Sequence, residues 1–309
     1  MSKQQAPAKA AIAHGEVRAN GVRLHYARVG RGPPLVLLHG WPEFWLTFEP
    51  VMMRLADRFD LIVPDLRGFG DSEKPDRGPS DRAGAAVHAQ DIAALIELLD
   101  LDRVVIVCHD IGAIAAQVLA RKAPQQLAGL FFFNCPHSGI GHRWAEPDHL
   151  AQIWYQSFNQ QPFAAALVGS SREACRLYIG HFLRHWAGGN RHAFDDVLEA
   201  FVDNFLAEGN LQGGFNWYIS QNASRLAAIR GQAPREPKIK VPACVRWGDR
   251  DPILPVAWAD RLGEIFAELD FAPLDGVGHF AHREAPDRAA REIAGFCDRL
   301  GHSTTRAPP

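Results

Sequence analysis

Asp110, Asp251 and His279 are the residues of this sequence whose types and order could carry out a reaction. Each stands just after a short apolar run: Asp110 ends "VVIVCHD", Asp251 lies in "WGDRDPILP" and His279 in "GVGHF". Around Asp110 a β-branched run (104–107) breaks at Cys108-His109-Asp110-Ile111-Gly112, and an Ala-rich helical segment follows at once. That layout predicts a tight strand-to-helix turn that lifts one side chain clear of the sheet. A hydroxyl at such a turn attacks acyl carbon after a base has taken its proton. Attack on a saturated carbon needs a nucleophile that is already charged, and a carboxylate is ionised at neutral pH without help. The product is an ester on Asp110, which water must then hydrolyse. His279 is expected to activate that water, with Asp251 fixing the tautomer of the ring. Asp249 is the rival acid but falls nearer the strand end. His282 is the rival base and reads as a solvated loop residue.

For these three residues to converge, the elements carrying them must belong to one sheet. "PLVLLHG", "FDLIVPDLRGFG", the run before Asp110, "LAGLFFFNCP", "VPACVRWGD" and "LDFAPLDGVGHF" read as short strands, mostly buried on both faces. "GVRLHYARVG" alternates like an exposed hairpin strand. Helical spacing in "AVHAQDIAALIELLD" and after Asp110 implies βαβ units and a mostly parallel sheet, whose strand carboxyl ends gather catalytic groups. Residues 137–238 break the pattern with helical segments rich in Trp, His, Gln and Asn and no convincing strand. The expected organisation is a sheet core at 16–136 and 239–300, a helical cap at 137–238, and tails at 1–15 and 301–309.

Composition narrows the classes. A formal net charge of -2 gives no reason to expect nucleic acid as a partner. No apolar run approaches the roughly 20 residues that span a bilayer. The opening "MSKQQAPAKAAIAHGE" lacks the continuous apolar core of a signal peptide. Five cysteines without regular spacing suit a reducing compartment, so the cytoplasm is the expectation.

The motifs "HGWP" (39–42), "DLRGFGDS" (65–72), "HDIG" (109–112), "GDRDPIL" and "GVGHF" together resemble the α/β-hydrolase branch that contains epoxide hydrolases and carbon–halogen hydrolases. The resemblance covers about residues 16 to 300. It implies an α/β-hydrolase fold with an inserted helical cap and Asp110 as nucleophile. It also implies an oxyanion hole made by the backbone N–H groups of Trp41 and Ile111. No metal or organic cofactor follows from it.

The leaving group separates the branch's two chemistries. A halide departs as a stable anion, whereas an epoxide opens to a basic alkoxide that wants an acid, and a phenol can donate the proton. Epoxide hydrolases of this fold set two cap tyrosines over the nucleophile. Tyr155 in "IWYQSFNQQP" and Tyr218 in "GGFNWY" are similar to those two motifs. Haloacetate dehalogenases resemble one another in placing Arg where this chain has Ile111 and Ile114, and in drawing their acid from the position of Asn134. Haloalkane dehalogenases put Trp where Ile111 stands. The expected substrates are therefore a small apolar epoxide and water.

Other signals are weaker. Trp41, Phe44, Trp45, Trp154 and Trp217 are candidate pocket walls. Trp41 and Trp154, beside proposed catalytic groups, are expected to bind substrate. His181 and His185 stand one helical turn apart but lack the glutamate of H-E-x-x-H, so cap packing is expected. Asp65 and Asp71 read as loop hydrogen-bonders, and Cys108 as a buried, unreactive thiol.

Overall fold

A computed structural model describes residues 11–302. Eight strands form one sheet in the order β1-β2-β4-β3-β5-β6-β7-β8. They are β1 (Ala13–Ala19), β2 (Val22–Gly30), β3 (Pro34–Leu38), β4 (Asp60–Pro64), β5 (Val104–His109), β6 (Leu127–Phe133), β7 (Ala243–Gly248) and β8 (Leu269–Leu274). β1–β2 and β2–β4 pair antiparallel, and every other pair is parallel. This is the mostly parallel sheet expected from the alternation of strand and helix signals.

Strand periodicity divides the core between the two faces. Along β5, Val104, Ile106 and Cys108 join one apolar cluster and Val105 and Val107 the other. Along β6, Leu130 and Phe132 face one way and Phe131 and Phe133 the other. Side chains two residues apart share a face, so an unbroken apolar run serves both layers of helix.

Two sequence expectations are corrected here. β2 is a hairpin strand as expected, paired antiparallel with β1, but it is not exposed, because β1 and β4 flank it and Leu24, Ala27 and Val29 are buried. Residues 13–15, read as part of a tail, form the first rungs of β1, with Ala13 opposite Arg28. The remainder of that expected tail up to residue 10, and residues 303–309 of the other, lie outside the described residues. His302 is anchored, its ring against the Pro34 carbonyl at 3.1 Å.

Between β6 and β7 the described chain forms only helical elements, from Ser138–Ala145 to Asn210–Ile229. Its longest members are Arg172–His185 and Asn210–Ile229. No described helix is long and apolar enough to cross a membrane.

Candidate active site

β5 ends at His109, and the helix Asp110–Lys122 begins on the next residue. Turning from strand to helix without a linker forces Asp110 to φ +46°, a left-handed conformation that costs a non-glycine residue about 1–2 kcal/mol. Small neighbours permit the close turn. A Cβ at Gly112 would lie 2.6 Å from the Leu38 carbonyl, and one at Gly40 would lie 2.7 Å from the Asp110 Cβ. The Trp41 backbone N–H donates to Asp110 Oδ2 at 3.0 Å. Ile111 is buried in the first turn of the helix.

His279 and Asp251 meet beside this turn. His279 Nδ1 donates to Asp251 Oδ2 at 2.7 Å, and both side chains are fully buried. Asp251 Oδ1 accepts the backbone N–H groups of Ile253 (2.8 Å) and Leu254 (3.0 Å). His279 Nε2 has no hydrogen-bond partner among the described residues, which leaves it the nitrogen free to handle a proton. Asp249 turns elsewhere and accepts the Gly276 N–H at 2.7 Å.

Burial alone would depress the basicity of His279. Asp251, through its charge and its hydrogen bond, and then Asp110 and Glu43, outweigh that effect and lift the ring to about 9. The folded chain therefore holds this proton more tightly than an unfolded chain, whose ring titrates near 6.5. The resulting stabilisation is complete below pH 6.5 and is lost as pH rises through about 9. Melting temperature should accordingly fall between those values, and fall less in His279→Gln, when the two proteins are scanned side by side. Parallel pH profiles would contradict the raised value.

Three polar residues that the sequence left unassigned support this pair. Asn134 at the end of β6 donates to Asp251 Oδ2 at 2.5 Å and accepts the Gly248 N–H at 2.9 Å. Glu43, directly after "HGWP", accepts from His109 Nδ1 (2.7 Å), His282 Nε2 (2.8 Å), Thr47 Oγ1 (2.6 Å) and the Gly40 N–H (2.7 Å). His109 packs against His279, ring centroids 4.4 Å apart. His282 is thus no solvated loop residue: it is fully buried, and burial pushes its ring down to about 4, so it stays neutral against the Glu43 carboxylate. The ligand atoms of Glu43, His109 and His282 lie within 4.8 Å of one another. Their direct hydrogen bonds occupy the space a cation would need. Only the position of Glu43 after the motif hinted at this cluster, since its members are up to 239 residues apart.

A cavity of about 770 Å³ opens over Asp110 and is also lined by Ile111, Ile114, Tyr155, Trp217 and Tyr218. Tyr155 and Tyr218 are buried with rings perpendicular at 5.6 Å. Burial, reinforced for both by the nearby Asp110 charge, holds the two phenols well above the ordinary tyrosine range, so they stay protonated. Trp41 lies behind Tyr155, stacked flat at 5.3 Å, and forms a second layer rather than the cavity wall.

Trp154 requires a correction. It is 45% exposed and absent from the cavity lining, with its ring against Tyr178 and Phe182. Neighbours on a helix point about 100° apart, so a helix that turns Tyr155 inward sends Trp154 out. Trp217 and Trp144 are the tryptophans that line the cavity. His181 and His185 stack on one another at the edge of the helical insertion, 5.3 Å apart. Asp65 is a buried hydrogen-bonder, bound to His25 and to the Trp45 and Asp71 N–H groups, while Asp71 itself is exposed. Cys108 is buried, which raises its thiol far above the reactive range.

The sheet order, the strand-to-helix turn at Asp110 and the buried His279–Asp251 pair agree with a match between residues 33–286 and the model of the alpha/beta hydrolase fold. The chain belongs to that family. Within it the relatives mark the epoxide hydrolase branch, and the protein is a hydrolase. The chain is 30% identical to the soluble epoxide hydrolase of Corynebacterium sp. (strain C12) over 287 residues, which cover 89% of this chain and 93% of the relative. It is 25% identical to epoxide hydrolase 4 of Homo sapiens over 280 residues, 88% of this chain and 74% of the relative. Among solved structures, epoxide hydrolase CorEH without ligand aligns at TM-score 0.78 and 26% identity, over 94% of this chain and all of that one (100%).

Proposed function

We propose that the protein hydrolyses an epoxide to a vicinal diol through an ester on Asp110. The observation that carries this reading is the cavity in which two buried, protonated phenols share the space above one carboxylate. Asp110 attacks a ring carbon. The C–O bond breaks, and the departing oxygen takes a proton from Tyr155 or Tyr218. Water then attacks the carbonyl carbon of the ester and gives a proton to His279 Nε2. The Trp41 N–H, already on Asp110 Oδ2, and the Ile111 N–H serve as donors to the oxyanion. Collapse of that intermediate breaks the ester C–O bond, and the proton left on the water-derived hydroxyl passes to the departing oxygen. The diol is freed with one water-derived oxygen left in the Asp110 carboxylate. The helical insertion acts as the cap that carries both phenols and excludes bulk water.

The charges support the sequence of steps. In the free enzyme the Asp110 carboxylate helps to keep His279 protonated. Alkylation removes that negative charge, so the ring holds its proton less tightly and can more readily pass it back to the phenol and then serve as a base.

A halide-releasing reaction would use the same nucleophile and leave the phenols idle. A small haloacid would face Ile111 and Ile114, apolar side chains that cannot pair its carboxylate. The test is side-by-side turnover of styrene oxide, fluoroacetate and a bromoalkane by the wild type and by the Tyr155→Phe, Tyr218→Phe double variant. Styrene oxide should be the substrate of choice, and the double variant should lose about 10²–10⁴-fold of that rate. An unchanged epoxide rate, or faster halide release, would refute the reading.

A further inference from the structure

Beyond the two phenols the cavity continues between two helices. Asp110, Ile111, Ile114, Gln117, Val118 and Arg121 line it along one face of the Asp110–Lys122 helix. Opposite them, on the Asn210–Ile229 helix, stand Tyr218, Gln221 and Arg225, again on one face. Both walls therefore begin at the reacting groups and end in an arginine.

The two arginines differ. Arg121 is neutralised by Glu236 at 3.1 Å and bonded to the Pro237 carbonyl at 3.2 Å. Arg225 has no carboxylate within 4.0 Å among the described residues, and its hydrogen-bond partner is the neutral amide oxygen of Asn222 at 3.1 Å. Yet it is half-buried, and burial pulls its pKa down. The more deeply buried Arg246 is held instead by Asp270 at 2.8 Å and Glu292 at 2.6 Å. Asp81, which also borders the cavity, is exposed and its charge is solvated. A guanidinium remains charged at any working pH, so the far end of the cavity is lined by a cation with no carboxylate partner among the described residues, a group whose planar fork suits a carboxylate. Tyr218 and Arg225 are seven residues apart on one helix, which is about 10 Å along its axis.

We propose that Arg225 binds the anionic end of the substrate, and that the substrate class is epoxides with a carboxylate about 10 Å from the ring. Aliphatic chains of about eight carbons have that span. The position of the ring rests on the epoxide reading above, whereas the anion site does not. Such an acid differs from a haloacetate, whose carboxylate would lie against the nucleophile, two helical turns from this cation.

Two measurements separate the claims. Calorimetric titration of decanoate and decan-1-ol into the wild type should give at least tenfold tighter binding of the acid. That difference should collapse in Arg225→Gln and Arg225→Leu, with folding checked by melting temperature. Equal affinities for acid and alcohol in the wild type would overturn the anion site without reference to any variant. In turnover, 9,10-epoxydecanoate should exceed its methyl ester at least tenfold in kcat/KM, and equal values would again overturn the proposal. Selective binding of decanoate with no diol from either epoxide would uphold Arg225 and reject the epoxide reading instead.

Discussion

Asp110→Ala is expected to lower kcat for an epoxide by at least ~10⁴-fold, since no other group over the cavity supplies the attacking atom. The loss should not come from unfolding. Alanine tolerates φ +46° less well than aspartate, but the penalty is about 1 kcal/mol, a small part of the stability of a domain this size. A melting temperature within a few degrees of wild type should accompany the inactivity. Isotope placement makes the test sharper. After one turnover in heavy-oxygen water the diol should carry no label, and a peptide containing Asp110 should carry one labelled oxygen. Direct attack of water on the ring would place the label in the diol, and a variant retaining a substantial share of the rate would remove Asp110 from its assigned role.

His279→Gln should separate the two halves of the reaction. The carboxylate is still present to open the ring and the phenols to protonate the oxygen, so the ester forms. Without the imidazole, the attacking water has no base and turnover falls by about 10²–10⁴-fold. Intact-mass measurement should then show one substrate molecule bound per chain, released by alkali. If the variant is slow but never accumulates an adduct, the ester is not an intermediate. Asp251→Asn offers a milder version, because it removes the largest charge that raises the ring toward about 9.

The parts of this site legible in the sequence were those with a local signature. The turn at Asp110 shows as a β-branched run cut off by a helical one, and it needs no distant partner. Asp251 was separable from Asp249 by its distance past the strand, and in the fold Asp249 bonds a neighbouring loop instead. What stayed hidden was pairing across long separations. The four hydrogen bonds converging on Glu43 join residues 40, 47, 109 and 282, and nothing near any one of them announces the others. His282 was misjudged for that reason: polar neighbours in a loop look the same whether they meet water or a buried glutamate. Trp154 was misjudged for another. Adjacency to Tyr155 suggested a shared pocket, whereas helical geometry sets sequence neighbours on different faces. β1 was missed because "AHGEVRA" is half-exposed along an edge, where little apolar periodicity is needed.

The loop that carries His279 is fastened to the helical insertion. The His279 N–H donates to the Trp186 carbonyl at 2.9 Å, and a Cβ at Gly278 would lie 2.0 Å from the Gly188 nitrogen. If that insertion swung open like a door, the imidazole would be dragged off its aspartate with each passage. Molecules should therefore come and go along the corridor between the two arginine-tipped helices, and the rigid seam would keep the proton-handling parts assembled throughout the cycle.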